Sequence, residues 1–196
     1  MRILNNCRND KVQIYVAFPL EADLTSVTRV KDHYIVSGPV SMSQGKIAKV
    51  FKSWGKSYTI YLEMTITKEL SESNMEWINV FHLTTGGDSG AFVPSLFLHR
   101  ELKKVFFLFD SKDDSGNFEH NYEFEFLFEL NKLYQIRISQ SSGKYFIKAE
   151  GEKSYHHNAG TLEVFEEVKL YLSNPWHAPF SDFGIVRNLK IIQYHY

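Results

Sequence analysis

The sequence predicts an all-β protein built as a two-sheet antiparallel jelly-roll sandwich. Its 196 residues include 16 Phe and 11 Tyr, and aromatic side chains favour half-buried pleated surfaces. Short runs in which apolar and polar residues alternate recur at roughly 8–15 residue intervals, the rhythm of strands joined by turns. No stretch has the 3.6-residue period of an amphipathic helix. A chain of this length suits one domain with its own core.

The first 45 residues show weaker patterns than the rest. Val12 to Phe18 and Tyr34 to Val36 are short strand candidates, each followed closely by proline or glycine. We therefore predict one jelly-roll domain over 1–196. Within it, 1–45 forms poorly defined N-terminal strands or an arm.

From Ser57 onward the alternation has a period of two residues, which predicts strands with one buried face. In YTIYLEMTI the buried face comprises Tyr58, Ile60, Leu62, Met64 and Ile66. In EWINVFHL the same rule groups Trp77, Asn79, Phe81 and Leu83, opposite Ile78, Val80 and His82. In NYEFEFLFEL it places apolar residues inside and acids outside: Tyr122, Phe124, Phe126, Phe128 and Leu130 against Glu123, Glu125 and Glu129.

The remaining strands follow in pairs. VPSLFLH and KVFFLFD are joined near RELK, and YQIRIS turns at SSG into KYFIKAEG. VFEEVKLYL and GIVRNLKII close the chain. In the last run, alternation predicts one face made of Ile185, Arg187, Leu189 and Ile191.

Several motifs together resemble a known family. Trp54-Gly55 precedes a strand, WINVFHLTTGGDSG follows, and the chain ends with FEEVKLYLSNPW and IVRNLKI. This order resembles the concanavalin A-like jelly roll of laminin-G and pentraxin type, a group of extracellular animal modules. The resemblance covers 46–192 and implies that the last strand returns beside the first strands.

The resemblance implies a non-enzymatic recognition or assembly module that binds a glycan or a protein partner through the loop rim or a sheet face. Trp54 and Trp176 are the rim aromatic residues that could stack on a sugar ring. His156 and Asn158 belong to a stretch that we expect to be a solvent-exposed loop. These four residues are the predicted ligand-binding set.

Related modules often bind Ca²⁺ at the rim, and Ca²⁺ requires six to eight oxygen ligands. Asp88, Asp113 and Asp114 lie in the polar loops and are the candidate ligands. Where related modules carry Gly-Asp-Arg before the next strand, this chain reads Gly90-Ala91-Phe92. That departure weakens the expectation of an inherited ion site at this position.

Two alternative functions remain open. Some jelly rolls of this superfamily are glycoside hydrolases with paired carboxylates on a strand, and here Glu123 and Glu125 would share a face about 6–7 Å apart. Retaining hydrolysis requires carboxyl groups about 5–5.5 Å apart. The third acid of that motif is displaced by one residue, at Glu129. The other alternative is a structural subunit that associates with itself, giving a homo-oligomer.

The composition narrows the list of partners and cofactors. The net charge is -1, so no global field recruits nucleic acid or an anionic membrane. Cys7 is the single cysteine, which excludes an internal disulfide and a cysteine-based zinc cluster. The resemblance implies an extracellular location. A cytoplasmic one stays open, because the N-terminus lacks an apolar signal core and no N-glycosylation motif is present.

Overall fold

The computed structural model describes residues 28–42, 45, 47–70, 76–86, 93–112, 118–149, 153–158, 164–173 and 183–195. These residues form strands in two antiparallel sheets, as the alternating pattern predicts. The strands are β1 (Thr28–Val36), β2 (Val40–Ser41), β3 (Ile47–Trp54), β4 (Tyr58–Ile66), β5 (Trp77–Thr84), β6 (Ser95–His99), β7 (Lys104–Lys112), β8 (Phe118–Leu127), β9 (Leu133–Ser141), β10 (Lys144–Ala149), β11 (Lys153–Asn158), β12 (Phe165–Tyr171) and β13 (Gly184–His195).

The two sheets have different strand orders. Sheet A has seven strands in the order β1-β13-β4-β9-β10-β11, with β2 also pairing with β13. Sheet B has six strands in the order β3-β12-β5-β6-β7-β8. The final strand β13 therefore lies between β1 and β4, as the resemblance implied. The predicted fold class, a two-sheet antiparallel sandwich, is confirmed. The predicted strand at Val12 to Phe18 lies outside the described residues.

The core lies between the sheets. All five apolar residues assigned to the inner face of β4 are buried, from Tyr58 at 4% exposed to Ile60 at 0%. They belong to one cluster with side chains of sheet B such as Phe81, Leu98 and Phe107. Burial of such side chains contributes about 1.5–3 kcal/mol each, which makes this cluster the main stabilising feature of the fold.

The β9–β10 hairpin shows how local sequence sets register. Its loop is Ser142-Gly143, with φ of 50° and 73°. Two successive positive φ values are typical of a type I′ turn, which matches the twist of the flanking strands and favours glycine. The hairpin then pairs Ser141 with Lys144 and Ile136 with Ala149. The turn predicted at SSG is thus confirmed.

Bulges correct three predicted faces. On β5, Asn79 pairs with Phe97 and Phe81 with Leu96, so Val80 is an extra residue. An extra residue reverses the side-chain alternation beyond it. Trp77 and Asn79 therefore lie on the outer face of sheet B, whereas Ile78, Phe81 and Leu83 belong to the core. The predicted grouping of Trp77 with Phe81 is wrong for this reason.

The other two bulges lie on β13 and β8. Asn188 has φ 52°, and the β13–β4 register shifts between Arg187 and Lys190. The core residues of β13 are consequently Val186, Leu189 and Ile191 rather than an unbroken alternation. On β8, Phe107 pairs with Phe124 and Leu108 with Tyr122, which leaves Glu123 as the extra residue.

Gly184 starts β13 where backbones approach closely. A Cβ at this position would lie 2.7 Å from the Thr65 carbonyl oxygen and 3.0 Å from Met42 Cε. The Gly184 carbonyl accepts a hydrogen bond from Met42 N at 3.0 Å. Glycine is therefore the residue that allows the chain to enter sheet A here.

Candidate functional site

The outer face of sheet A carries a continuous polar and aromatic surface. On β9 and β10 the core-facing side chains are buried, while the alternate ones are half-buried or exposed. The same alternation on β4 directs Tyr61 and Glu63 outward. Cross-strand pairing then places Tyr61 opposite Arg137 and Phe146 opposite Ser139. Side chains from three neighbouring strands thus meet on one surface.

Arg137 is the centre of this surface. Its Cζ lies 5.4 Å from the centroid of the Tyr61 ring and 6.0 Å from that of Phe146. A guanidinium at these distances is attracted to both rings through their π faces. Arg137 Nε also donates a hydrogen bond to Ser139 Oγ at 3.2 Å. These three contacts hold the guanidinium in a defined position on the sheet.

Glu63 forms the acidic part of the same surface. Its Oε1 accepts a hydrogen bond from Gln135 Nε2 at 3.3 Å, and its Oε2 accepts one from Asn188 Nδ2 at 2.9 Å. The bulge on β13 supplies Asn188, whose positive φ is tolerated best by asparagine and glycine. An ionised carboxylate has about four acceptor positions. The amides of Gln135 and Asn188 use two of them.

A chain of hydroxyl groups lies next to Arg137 on the same face. Thr59 is 3% exposed, and its Oγ1 lies 3.2 Å from Ser139 Oγ. Tyr194 donates its hydroxyl to the same Thr59 oxygen at 3.4 Å. Ser139 in turn accepts the hydrogen bond from Arg137. The position of the guanidinium is therefore linked to a buried side chain rather than to solvent-exposed groups alone.

A second polar cluster lies on the outer face of sheet B and is closed to solvent. Asn79, His82 and Ser95 are each 0–1% exposed, and Asn79 Nδ2 donates to His82 Nδ1 at 3.2 Å. Burial lowers the pKa of His82 from 6.5 to about 4, because a low-dielectric environment disfavours the charged imidazolium. A neutral, inaccessible imidazole contributes to packing and specificity of this layer.

Beside that cluster, aromatic rings pack around His99. Trp77 lies 4.6 Å from His99 between ring centroids, and 5.0 Å from Phe106. His99 Nε2 lies 3.0 Å from a carboxylate oxygen of Glu76, and Leu102 N donates to His99 Nδ1 at 3.2 Å. Both ring nitrogens are therefore engaged, so His99 orients the β6–β7 turn.

Trp54 does not lie where a ligand could reach it. Its side chain is 1% exposed and packs against Phe51 at 5.0 Å and Tyr58 at 4.8 Å between ring centroids. The indole is part of the core, so the prediction that Trp54 offers a sugar-stacking surface at the rim is corrected. Trp54 is the last residue of β3 and belongs to the core cluster between the sheets.

His156 and Asn158 lie on a strand rather than in the predicted loop. Both belong to β11, which pairs with β10 over its whole length, with Phe146 opposite His156 and Lys144 opposite Asn158. The loop prediction is therefore corrected. By register, His156 is in line with Phe146 and Ser139 on the neighbouring strands. The other predicted ligand residue, Trp176, lies outside the described residues.

The predicted carboxylate pair lies on a strand that contains a bulge. Glu123 and Glu125 lie on β8, the edge strand of sheet B, and Glu123 is the extra residue of a bulge. The side chains of this pair lie outside the described part of the chain, so a common face for the two carboxylates stays a prediction. The proposed Ca²⁺ ligands Asp88, Asp113 and Asp114 lie outside the described residues. Within the described ranges, no three His, Cys, Asp or Glu side chains form a group able to hold a metal ion.

Sequence reasoning missed the residues that the structure brings together on sheet A: Tyr61, Glu63, Gln135, Arg137 and Phe146. The available signal was the alternation itself. It places Tyr61 and Glu63 on the face of β4 opposite its apolar face. No linear motif connects these positions, because they come from three strands that are distant in the chain. In the part of the chain that the structure describes, no helix is long and apolar enough to cross a membrane.

Comparison with known proteins identifies the fold. No protein-family model matches the chain, and no curated protein matches it. The structure is similar to Trypanosoma rangeli sialidase in complex with 2,3-difluorosialic acid, with a TM-score of 0.51, 13% identity, and 69% of this chain matched to 20% of that chain. It is also similar to the binding domain of botulinum neurotoxin serotype D, with a TM-score of 0.51, 12% identity, and 73% of this chain matched to 34% of that one.

These similarities show a β-sandwich consistent with a concanavalin A-like jelly roll. The matched part of this chain corresponds to a fifth of the sialidase and a third of the toxin fragment. At 12–13% identity, a similar fold does not transfer a site.

Proposed function

We propose that this protein is a non-enzymatic carbohydrate-recognition module of the laminin-G and pentraxin kind, acting outside the cell, with its binding surface on the outer face of sheet A. The observation that carries the proposal is the guanidinium of Arg137 held at 5.4 Å and 6.0 Å from the Tyr61 and Phe146 rings. Ring faces pack against the apolar C–H face of a sugar, and fixed polar groups select its hydroxyls.

The chemistry of the neighbouring groups supports a glycan ligand. A sugar offers many hydroxyls that both donate and accept hydrogen bonds. Glu63 supplies acceptors, the amides of Gln135 and Asn188 supply both kinds of group, and Arg137 supplies donors. Binding sites of this kind combine apolar and aromatic area with a few placed polar groups. The similarity to a sialidase solved with a sialic acid derivative is compatible with this proposal.

A glycan array tests the proposal, followed by isothermal titration with the best ligand. We expect Tyr61→Thr to weaken binding at least tenfold, since threonine keeps a good strand residue but removes the ring. The matched control is Tyr171→Thr on β12 of sheet B, which should bind as the wild type does. Equal binding by Tyr61→Thr and the wild type would place the ligand elsewhere. No binding to any glycan would reject the proposal.

The same samples discriminate the other functions considered. Release of new reducing ends from a bound oligosaccharide, abolished by Glu125→Gln, would support a hydrolase rather than a recognition module. Light scattering across the micromolar range tests self-association, and a monomer throughout would exclude a purely structural oligomer. A protein ligand at this surface would give a glycan array without hits. In a pull-down, the wild type would then capture the protein partner and Tyr61→Thr would not.

A further inference from the structure

The four central strands of sheet A present an outer face whose described charged side chains are mostly basic. Strands β4, β9, β10 and β13 contribute one acidic side chain to it, Glu63, among those the structure describes. The basic side chains on the same strands and face are Lys144, Lys148, Arg137, Arg187 and Lys190. This balance contrasts with the whole chain, whose net charge is -1. The positive charge is thus a local property of this surface.

Three of the basic residues lie in one cross-strand row with Tyr61. Lys190 pairs with Tyr61, Tyr61 with Arg137, and Arg137 with Lys148. The row crosses four adjacent strands and therefore extends about 14 Å. That length accommodates more than one sugar ring, with an aromatic ring inside the row and a cation at each end.

Pairing two cations directly across a sheet carries an energetic cost. Arg137 and Lys148 are direct register partners, and like charges directly opposite each other destabilise a sheet. Strands β9 and β10 contain no acidic residue that could offset this repulsion. The nearby Glu63 carboxylate on β4 is hydrogen-bonded to Gln135 and Asn188. An anionic ligand placed above the row would remove this repulsion.

We propose that the ligand of this surface is an anionic oligosaccharide, whose acidic groups contact Arg137 and Lys148 while its rings pack on Tyr61 and Phe146. This inference rests on the proposed function and specifies its ligand class. A planar guanidinium matches a carboxylate or a sulfate through two parallel hydrogen bonds, and its contact with aromatic rings leaves its edge available for them. Glu63 then accepts hydrogen bonds from sugar hydroxyls beside the anionic group.

The surface fits a saccharide better than a nucleic acid or a lipid headgroup layer. A polynucleotide requires an extended track of phosphate contacts, whereas this row is about 14 Å long and has the Glu63 carboxylate beside its middle, two residues from Tyr61 on β4. A membrane surface attracts clusters of basic residues without selecting ring faces or hydroxyls. The combination of cations, aromatic rings and one fixed carboxylate therefore favours an oligosaccharide.

The decisive experiment compares a charged ligand with its neutral counterpart. Oligogalacturonate, its methyl ester and a sulfated glycosaminoglycan fragment of similar length are titrated into the full chain by calorimetry at low and physiological salt. We expect oligogalacturonate or the sulfated fragment to bind at least tenfold more tightly than the ester, with affinity falling as salt rises. Tighter binding of oligogalacturonate would indicate that the surface prefers carboxylates, and tighter binding of the sulfated fragment would indicate that it prefers sulfates.

Variants assign the effect to the row. Lys148→Gln should reduce the affinity for the acidic ligand three- to tenfold and leave the weak binding of the ester unchanged, because Lys148 is an exposed residue at the end of the row. Arg137→Lys keeps the charge but loses the fork, and we expect a larger loss than for Lys148→Gln. Lys52→Gln on β3 of sheet B is the matched control and should change nothing.

The outcomes separate this inference from the proposed function. If oligogalacturonate and its methyl ester bind equally well, and Tyr61→Thr binds neither, the inference of an anionic ligand is overturned and the glycan-binding face is retained. Absence of binding to every saccharide overturns both. Duplex DNA or phosphatidylserine vesicles that bind as tightly as the acidic oligosaccharide, with the same dependence on Lys148, would overturn the inference by showing a general polyanion surface.

Discussion

The buried histidine on the outer face of sheet B makes the stability of this protein depend on pH. His82 is 0% exposed, and burial lowers its pKa from 6.5 to about 4. In the unfolded chain the imidazole returns to its ordinary pKa of about 6.5. Between these two values the unfolded state holds a proton that the folded state does not, so the folded state loses stability as the pH falls through this window.

The magnitude follows from the pKa difference. Each pH unit in the window changes the free energy of unfolding by about 1.4 kcal/mol, and the full difference corresponds to about 3.4 kcal/mol below pH 4. Between about pH 7.5 and pH 4.5, the expected loss is about 2.5 kcal/mol. Above about pH 7.5 both states are neutral and the contribution of His82 to the pH dependence disappears.

Urea denaturation followed by tryptophan fluorescence measures this effect at the two pH values. The comparison is His82→Asn, because the asparagine oxygen can replace Nδ1 as acceptor for the Asn79 amide and does not titrate. We expect the wild type to lose about 2.5 kcal/mol more than the variant on acidification. The subtraction removes the contribution of the other titrating groups, which both proteins share.

Two results would refute the reasoning. One is a loss of stability on acidification that agrees between wild type and His82→Asn to within about 0.5 kcal/mol. The other does not require the variant to fold: an NMR titration of the wild type in which the His82 ring protons change shift with a midpoint near 6.5 would show that the imidazole is not protected by burial.

Three further predictions concern packing and ions. Gly184→Ala should destabilise by about 1–3 kcal/mol in a chemical melt, since its Cβ would meet the Thr65 carbonyl oxygen at 2.7 Å, whereas Gly38→Ala, with nothing within 4 Å, should change stability by less than about 0.5 kcal/mol. Gln140→Met should raise the free energy of unfolding by about 1–2 kcal/mol, because neither polar atom of the buried amide has a partner among the described residues. Gln193→Met should lower the free energy of unfolding, since the Gln193 amide is hydrogen-bonded to Gly55 N and Ser53 O. Equal effects of the two substitutions would contradict this prediction. If the predicted Ca²⁺ site exists, Ca²⁺ should raise the melting temperature and EDTA should reverse the rise, because a ligand of the native state stabilises it; a melt indifferent to both argues against the site.

The burial pattern of β4 could be predicted from its local sequence alone. Tyr58, Ile60, Leu62, Met64 and Ile66 alternate in the sequence, and all five are buried in the structure. The SSG turn was equally readable, because Ser142-Gly143 has the chemistry of a two-residue hairpin loop. Alternation and turn chemistry act over a few residues, so they are visible in one short segment.

The same reasoning fails at bulges. In β5, β8 and β13 one extra residue changes which side chains share a face. Val80, Glu123 and Asn188 lie at these irregularities. A bulge depends on the partner strand and on packing on both sides, which a single segment does not contain. Predictions based on strict alternation were therefore wrong there, and right on β4.

By itself, the sequence determined that this protein is an antiparallel β-sandwich, where most of its strands lie, and which face of its most regular strands is apolar. Only the tertiary structure decided that Trp54 is a core residue, that His156 lies on a paired strand, and that Tyr61, Arg137 and Phe146 meet on one surface. The physical reason is range. Alternation reflects burial of neighbouring residues, whereas the candidate binding surface depends on the register between strands that are far apart in the chain.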